Sequence, residues 1–392
     1  MNDESAQTGD FTLVLDGPLY RVYRRLHLLS PPLDLLHRRI FAVTALAWAP
    51  LLLLTLLRGE ALGGVATPFL KNIATQIRFL IVLPLLLSAE TTVHQRLRSS
   101  VLVFVERNLI PPEERSKFSE AILSAARWRN STIAEVLLLI AACTLGNWVW
   151  YVLHLDVATW YADGSGGLLG LTPAGFWYVF ISLTLFRFLI FRWLYRIFIW
   201  HRFLWQISRI RLNLDALHPD RACGLGFIGT SAFSFGPVLI SFTALLSGKI
   251  ADYIFHQNAK LMDFEVEVAA FILLCLVIAL VSQLFFIFPL MKAKRTARRE
   301  YGTKASLYIQ EFHQKWLEDK LPEGETFMGS ADIQSLADLG NSYAVVRQTR
   351  IIPISPKQVV SLAIILLIPI APLMLTMMPL AKIVELVLST IL

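Results

Sequence analysis

The chain contains seven stretches of mostly apolar residues, each close to the length that an α-helix needs to cross a lipid bilayer. A crossing takes about 20 residues, because a helix rises about 1.5 Å per residue and the hydrocarbon core is about 30 Å thick. Only 17% of the residues are charged, against about 25% in soluble domains. The sequence therefore predicts an all-α, polytopic transmembrane helix bundle. The stretches are residues 40–57, 74–93, 133–154, 173–194, 226–247, 268–291 and a last one that begins near residue 359.

Lysine and arginine are distributed unevenly between the loops that join these stretches. Every second segment outside the apolar stretches is rich in these residues, and together such segments hold 29 of the 36 lysines and arginines. The loops between them hold four. Because cytoplasmic loops retain Lys and Arg, this alternation predicts a cytoplasmic N-terminus. It also explains the formal charge of +7 without nucleic acid as a partner. The segments rich in lysine and arginine are residues 1–39, 91–131, 192–224 and 292–357.

Four parts follow from this topology. Two of the cytoplasmic segments are expected to fold, because they carry helical patterns. The second segment contains PPEERSKFSEAILSAARWR, and the fourth contains KASLYIQEFHQKWLEDK and ADIQSLADLGNSYAVVRQT. The parts are a cytoplasmic segment 1–39, a bundle 40–291 that includes a helical loop 94–131, a cytoplasmic helical segment 292–357, and the C-terminal residues 358–392.

The C-terminal part is too long for one straight crossing, and prolines interrupt it. Pro369, Pro372 and Pro379 break an apolar run that ends in LAKIVELVLSTIL. One crossing followed by an interfacial helix is the preferred interpretation, which puts the C-terminus outside. A re-entrant hairpin that returns to the cytoplasm is the alternative.

Charged residues inside the apolar stretches need an explanation, because a charge in hydrocarbon costs about 2.5–3.5 kcal/mol on insertion scales. Glu90, Glu135 and Arg187 all fall on the cytoplasmic side of the predicted membrane. An ion pair between Arg187 and either glutamate would lower the cost for both partners. Alternatively, the glutamates lie at headgroup level and Arg187 extends to the interface. Arg192 and Arg196 are expected to contact anionic lipid headgroups.

The loop LHPDRACGLGF lies just before the fifth stretch. His218 and Asp220 are suitable acid–base groups and Arg221 is suited to phosphate, which allows an enzyme that acts on lipid headgroups. In the structural alternative, Pro219 fixes a turn and Asp220 accepts the first free amides of the helix. The three cysteines form no CxxC or Cys/His cluster, so neither a metal nor a cofactor is predicted.

The fifth stretch, GLGFIGTSAFSFGPVLISF, combines small polar residues with a helix breaker. Thr230, Ser231 and Ser234 precede Gly236-Pro237, which falls near the middle of the predicted crossing. Small residues permit close helix packing, which is the simplest interpretation. However, Pro237 would free backbone groups that neighbours or water must satisfy. Because broken helices with Ser, Thr and Gly are typical of transport sites, this stretch is predicted to line a pathway.

Three segments resemble an uncharacterised family of bacterial polytopic inner-membrane proteins. They are LHPDRACGLGF, the aromatic–arginine run FRWLYRIFIWHRFLWQISRI and SADIQSLADLGNSYAVVRQTRIIPIS. In that family the loop reads HPDR, then small residues and GLGF, and Cys223 stands where glycine is expected. The resemblance implies a location in the bacterial inner membrane. It implies no activity and no catalytic or binding residue.

Three functions are compatible with these features. The favoured one is a channel or transporter for a small anionic solute, since Arg187, Arg221 and the amide end of the fifth helix favour an anion. The second is a scaffold or signalling component whose cytoplasmic segments bind a protein partner. The third is the lipid-headgroup enzyme that uses His218 and Asp220. Contact with anionic lipid headgroups and a homo-oligomer are compatible with each.

Overall fold

The structure is a computed structural model that describes residues 11–25, 35–152, 159–163, 170–318 and 331–377, apart from the side chains of residues 145–152. The described residues are helical and contain no strand. The C-terminal tail LAKIVELVLSTIL and the segment LPEGETFMGS lie outside them.

The described residues form ten helices, labelled α1 to α10 in chain order. Short 3₁₀-helices at Phe69–Lys71, Pro112–Glu114 and Ala371–Thr376 accompany them. The ten are α1 Pro18–Arg25, α2 Leu36–Leu57, α3 Ile73–Glu106, α4 Arg115–Arg129, α5 Thr132–Val152, α6 Pro173–Ser208, α7 Gly226–Gln257, α8 Leu261–Trp316, α9 Ala331–Gln348 and α10 Pro356–Leu367.

Five of these helices are long and apolar enough to cross a membrane: α2, α3, α6, α7 and α8. The chain is therefore a multi-pass membrane protein with a helical fold, as the composition predicted. The stretch Thr132–Thr144 of α5 and helix α10 are also apolar, but they are shorter than these five. The C-terminal end of α6 packs against α4, because Phe118 contacts Phe203 there and Arg202 donates to the Ser124 hydroxyl at 2.8 Å.

Four of the long helices change their hydrogen-bonding pattern along their length. Helices α3 and α6 contain π-helical segments at Ile77–Val82 and Tyr178–Ser182. Helices α7 and α8 contain 3₁₀ segments at Ala232–Phe235 and Val281–Phe286. The predicted break in α7 is thus a tightened turn within a continuous helix. Pro237 has no N–H to donate, so the residues before it form i→i+3 bonds and the α-helix resumes at Gly236.

Helix α8 extends well beyond its apolar part and pairs with α9. The α-helical stretch Ile287–Trp316 is unbroken, so the boundary predicted at residue 292 falls inside a helix. The Lys315 ammonium and the Trp316 indole N–H both donate to the Asp332 carboxylate, at 2.9 and 3.1 Å. We call residues 292–316 together with α9 the two-helix arm.

The segment after the arm runs along the whole of α7. At one end Gly229 meets the Pro353 carbonyl so closely that a Cβ would lie 2.3 Å from that oxygen. At the other end Leu373 packs against Ile250, and the Ser247 hydroxyl donates to the Pro369 carbonyl. Gly229 and Ile250 are about 30 Å apart along α7, which equals the thickness of the hydrocarbon core.

Candidate functional site

Five charged side chains from four helices meet in the interior, and we call them the ion cluster. They are Arg39 of α2, Glu90 of α3, Glu135 of α5, and Arg192 and Arg196 of α6, all buried. Glu90 Oε1 accepts from Arg196 Nη1 at 2.8 Å and from Arg192 Nη1 at 3.2 Å. Its Oε2 lies 3.0 Å from Arg39 Nη2. Glu90 therefore joins three helices by itself.

Glu135 extends the cluster to α5 and to the N-terminal helix. Its Oε1 lies 3.2 Å from Arg192 Nε, and its Oε2 accepts the backbone N–H of Leu19 at 2.9 Å. Tyr23 of α1 lies beneath the guanidinium of Arg39, 5.5 Å from ring centroid to carbon. Burial raises the pKa of Tyr23 to about 12, so its phenol stays protonated. The five charged residues therefore carry three positive charges against two negative ones.

Aromatic rings accommodate the excess positive charge. Arg39 Nε and Arg196 Nη2 have no hydrogen-bond acceptor among the described residues. The ring of Trp193 lies 4.8 Å from the Arg196 guanidinium carbon, and that of Tyr23 lies against Arg39. Negative ring faces stabilise such cations, and more strongly where water is excluded. The cluster is thus packed on all sides, and its chemistry is that of a structural junction.

Glu90 and Glu135 do not form the ion pair with Arg187 that the sequence suggested; other arginines bind them. Arg192 and Arg196 were expected to contact lipid headgroups, which is wrong, because they are 5% and 4% exposed and bind Glu90. Arg187 is half-buried about one and a half turns away on α6 and makes neither pair. The four-residue spacing of Arg192 and Arg196 was an available signal, since it places both on one face of α6.

Asp220 in the HPDR loop binds backbone amides of the loop itself and the first amide of α7. Its Oδ1 accepts the N–H groups of Ala222 at 2.8 Å and Gly224 at 3.1 Å, and its Oδ2 accepts that of Gly226 at 2.8 Å. His218 Nδ1 lies 3.0 Å from Oδ1. Partial burial alone would raise the pKa of Asp220, but these backbone donors hold it below its usual value. The geometry favours the structural interpretation of the loop over an acid–base role.

The end of the two-helix arm is fastened to this loop. Arg350 donates through Nη2 to the Asp220 carbonyl and through its backbone N–H to the Arg221 carbonyl, both at 2.7 Å. Cys223 has a φ of +54°, a conformation that glycine adopts more easily, which fits the glycine expected there. Burial raises the pKa of the Cys223 thiol to about 12, so the thiol is unreactive.

A groove of about 660 Å³ lies beside the 3₁₀ turn of α7, between α3, α7 and α10; most of its wall is apolar, and Ser, Thr, Gln and Arg side chains contribute the polar part. Arg96 Nη1 donates to the Phe233 carbonyl at 3.2 Å. That carbonyl is four residues before Pro237, which cannot donate to it. We call this feature the α7 groove. It is lined by Gln95, Arg96, Ser99, Ser100, Val103, Phe227, Thr230, Ser231, Phe233, Ser234, Gln358 and Ser361.

The structure distributes the predicted site residues over separate places. Glu90 and Glu135 belong to the ion cluster, and Arg187 lies beside it on α6. Gly236 is buried just beyond the groove. The remaining six fall into two groups, with His218, Asp220 and Arg221 in the HPDR loop and Thr230, Ser231 and Ser234 on the α7 groove.

Sequence reasoning missed two polar residues that contact α7. Arg96 was counted as a loop residue, although it lies on α3 only six residues after Glu90. Gln283, in the 3₁₀ segment of α8, donates through Nε2 to the Ile228 carbonyl at 3.0 Å and is buried. A lone amide within the apolar run 268–291 was the available signal for Gln283.

No group of three or more His, Cys, Asp or Glu residues that could hold a metal ion occurs in the part of the chain that the structure describes. No protein-family model, curated protein or solved structure matches the sequence. Function must therefore be argued from the fold and from the geometry of these polar features.

Proposed function

We propose that the chain is a bacterial inner-membrane protein with seven crossings and a cytoplasmic N-terminus, and that it conducts a small anionic solute along the α7 groove. Two observations support the two extra crossings. Helix α5 is 21 residues long, and the segment with α10 follows the full length of α7. The distribution of Lys and Arg supports the orientation.

The α7 groove is the observation that carries the permeation proposal. It lies along the first turns of α7, which face the cytoplasm in the proposed orientation. Hydroxyl and amide groups from three helices line it, and such groups can replace the hydration shell of a solute. Arg96 is the one charged residue among those that line it, so an anion is the favoured solute.

Open space continues beyond the groove. A Cβ added at Gly236 would meet no atom within 4 Å, although this glycine is buried. Free volume therefore adjoins α7 where the helix passes from the 3₁₀ turn to its α-helical part. This supports a pathway that follows α7 toward the other side of the membrane.

A flux measurement on liposomes that contain the purified protein tests the proposal. We expect flux of small monovalent anions, and we expect Arg96→Gln to reduce it by about tenfold or more, since a charged hydrogen bond contributes about 1.5–3 kcal/mol. Lys304→Gln, which removes the same charge from the exposed surface of the two-helix arm, is the control and should conduct normally. Absence of flux, or equal flux in both variants, would refute the proposal.

The orientation has its own test. A cysteine placed at Lys304, on the exposed surface of the arm, should react with a membrane-impermeant maleimide only after the inner membrane is opened. Labelling in intact spheroplasts would place the arm outside. The groove would then face away from the cytoplasm.

A scaffold is the second candidate, because the two-helix arm exposes apolar side chains that nothing in the described structure covers. Leu307 and Ile309 of α8 are 49% and 54% exposed, and Ile333 of α9 is also exposed. A protein partner or a second copy of the arm would cover them. Ile309→Ser should then abolish a complex that survives detergent extraction, whereas a conducting monomer would be unaffected.

A further inference from the structure

Two grooves adjoin each other beside α4, where α5 begins and α6 ends. The first, of about 500 Å³, has apolar walls from α5, including Ile133 and Leu137, and polar groups at its rim. The second, of about 440 Å³, lies between α4 and the inner end of α6 and is basic. Arg127 lines both, so they form one continuous surface with an apolar half and a charged half.

The apolar half faces the bilayer. Ile133 is 75% exposed and Leu137 is 59% exposed, on the side of α5 that points away from the bundle. Trp128 and Tyr195 lie at the rim, where the Tyr195 hydroxyl donates to the Trp128 carbonyl at 2.8 Å. Tryptophan and tyrosine prefer the level of the lipid headgroups. The groove therefore passes from acyl-chain depth to headgroup depth.

The charged half carries more positive charge than its surroundings neutralise. Four basic residues and one acidic residue, Glu120, line it. Neighbouring groups hold two of the basic side chains: Arg202 binds Ser124 and lies 4.8 Å from the Trp128 ring, and Arg209 lies 5.5 Å from the Trp205 ring. Of the four basic residues, Lys117, Arg127, Arg202 and Arg209, only Lys117 has an ion-pair partner in the described parts of the chain.

We propose that this double groove binds one anionic phospholipid, which belongs to the cytoplasmic leaflet in the proposed orientation. The phosphate lies against Arg127 and Arg202, an anionic headgroup extends toward Arg209, and one acyl chain follows Ile133 and Leu137. Charge complementarity selects the headgroup, and the lipid-facing wall of α5 selects a lipid over a soluble phosphate. The site is separate from the α7 groove and does not depend on whether that groove conducts.

Native mass spectrometry of the intact protein, released from detergent with added lipid, tests the site. We expect one phosphatidylglycerol to be retained more tightly than phosphatidylethanolamine with the same acyl chains. Arg127→Gln should weaken retention of phosphatidylglycerol by about fivefold, which is the contribution of one basic residue near an anionic lipid. Arg299→Gln, which removes one exposed arginine from the arm, is the control and should retain it normally.

Two further measurements separate a lipid site from a phosphate site. Leu137→Ser leaves every basic residue in place and alters only a lipid-facing wall, so it should also weaken phosphatidylglycerol retention. Inorganic phosphate at millimolar concentration should not displace the lipid. Displacement by phosphate, equal retention of the two lipids, or unchanged retention in Arg127→Gln would each overturn the proposal.

Discussion

Replacement of Glu90 by glutamine tests whether the ion cluster holds the bundle together. The carboxylate accepts from Arg39, Arg192 and Arg196, and all four side chains are buried. Glutamine keeps the shape and one oxygen acceptor but removes the negative charge. The remaining cluster would then hold three guanidinium groups against Glu135 alone.

The expected loss of stability is large. Removal of one partner from a buried ion pair costs about 3–5 kcal/mol, because the other partner is left as an uncompensated charge. Here Arg192 keeps Glu135, whereas Arg39 and Arg196 lose their only carboxylate among the described residues. At about 2 °C per kcal/mol, the melting temperature of the detergent-solubilised protein should fall by about 6–10 °C.

Glu106→Gln supplies the matched control. Glu106 ends the same helix, α3, and is exposed, so the same chemical change there should alter stability by less than about 0.5 kcal/mol. Both variants can be compared with the unmodified protein by thermal unfolding followed through tryptophan fluorescence. If Glu90→Gln and Glu106→Gln had the same melting temperature, the view that the ion cluster holds these helices together would be refuted.

Two further substitutions probe the N-terminal end of α7. Asp220→Ala should destabilise the protein by about 0.5–2 kcal/mol at neutral pH, because the carboxylate that accepts the Gly226 N–H is lost. The folded-state pKa of Asp220 lies below the unfolded value of about 3.9, so the stability that its carboxylate contributes is full above that unfolded value and is lost as the pH falls through the folded pKa. Acid titration of unfolding should therefore show a smaller stability loss in the variant. Gly229→Ala should cost about 1–3 kcal/mol in chemical unfolding, since its methyl would collide with the Pro353 carbonyl. Gly340 lies in α9 with open space around it, so Gly340→Ala should instead stabilise the helix slightly. A larger loss of stability in Gly340→Ala than in Gly229→Ala would contradict the proposed packing.

Local features of this protein could be predicted from its sequence. Of the seven crossings that the apolar runs predicted, five correspond to helices long and apolar enough to span a membrane, and the pattern of Pro111 to Arg129 predicted α4. The structural alternative for Asp220, one of the two interpretations that the sequence left open, fits its bond to the Gly226 N–H, because Asp before a helix is a local signal that needs no knowledge of the rest of the chain. Thr230, Ser231 and Ser234 before Pro237 lie on the α7 groove, and their role in a transport pathway stays a prediction.

Long-range pairing could not be predicted in the same way. Arg187 and Arg192 are both arginines in one apolar helix, and only the rotation of α6 against α3 decides which one meets Glu90. The π-helical segment Tyr178–Ser182 changes that rotation within the helix, and nothing in its sequence announces it. Arg39 was counted with a loop because the apolar run begins at Ile40, whereas α2 begins four residues earlier, at Leu36.

The separation of the cluster along the chain has a consequence for biogenesis. Glu90 emerges from the ribosome about 100 residues before Arg192 and Arg196. Two of the three arginines that bind Glu90 have therefore not been synthesised when α3 reaches the membrane. We therefore expect α3 to stay at the membrane interface, or with the insertion machinery, until α6 has been made. We expect α1 to dock after that, because the Leu19 amide binds a Glu135 that Arg192 also contacts. In this order of assembly, the first helices to be synthesised are among the last to reach their final positions.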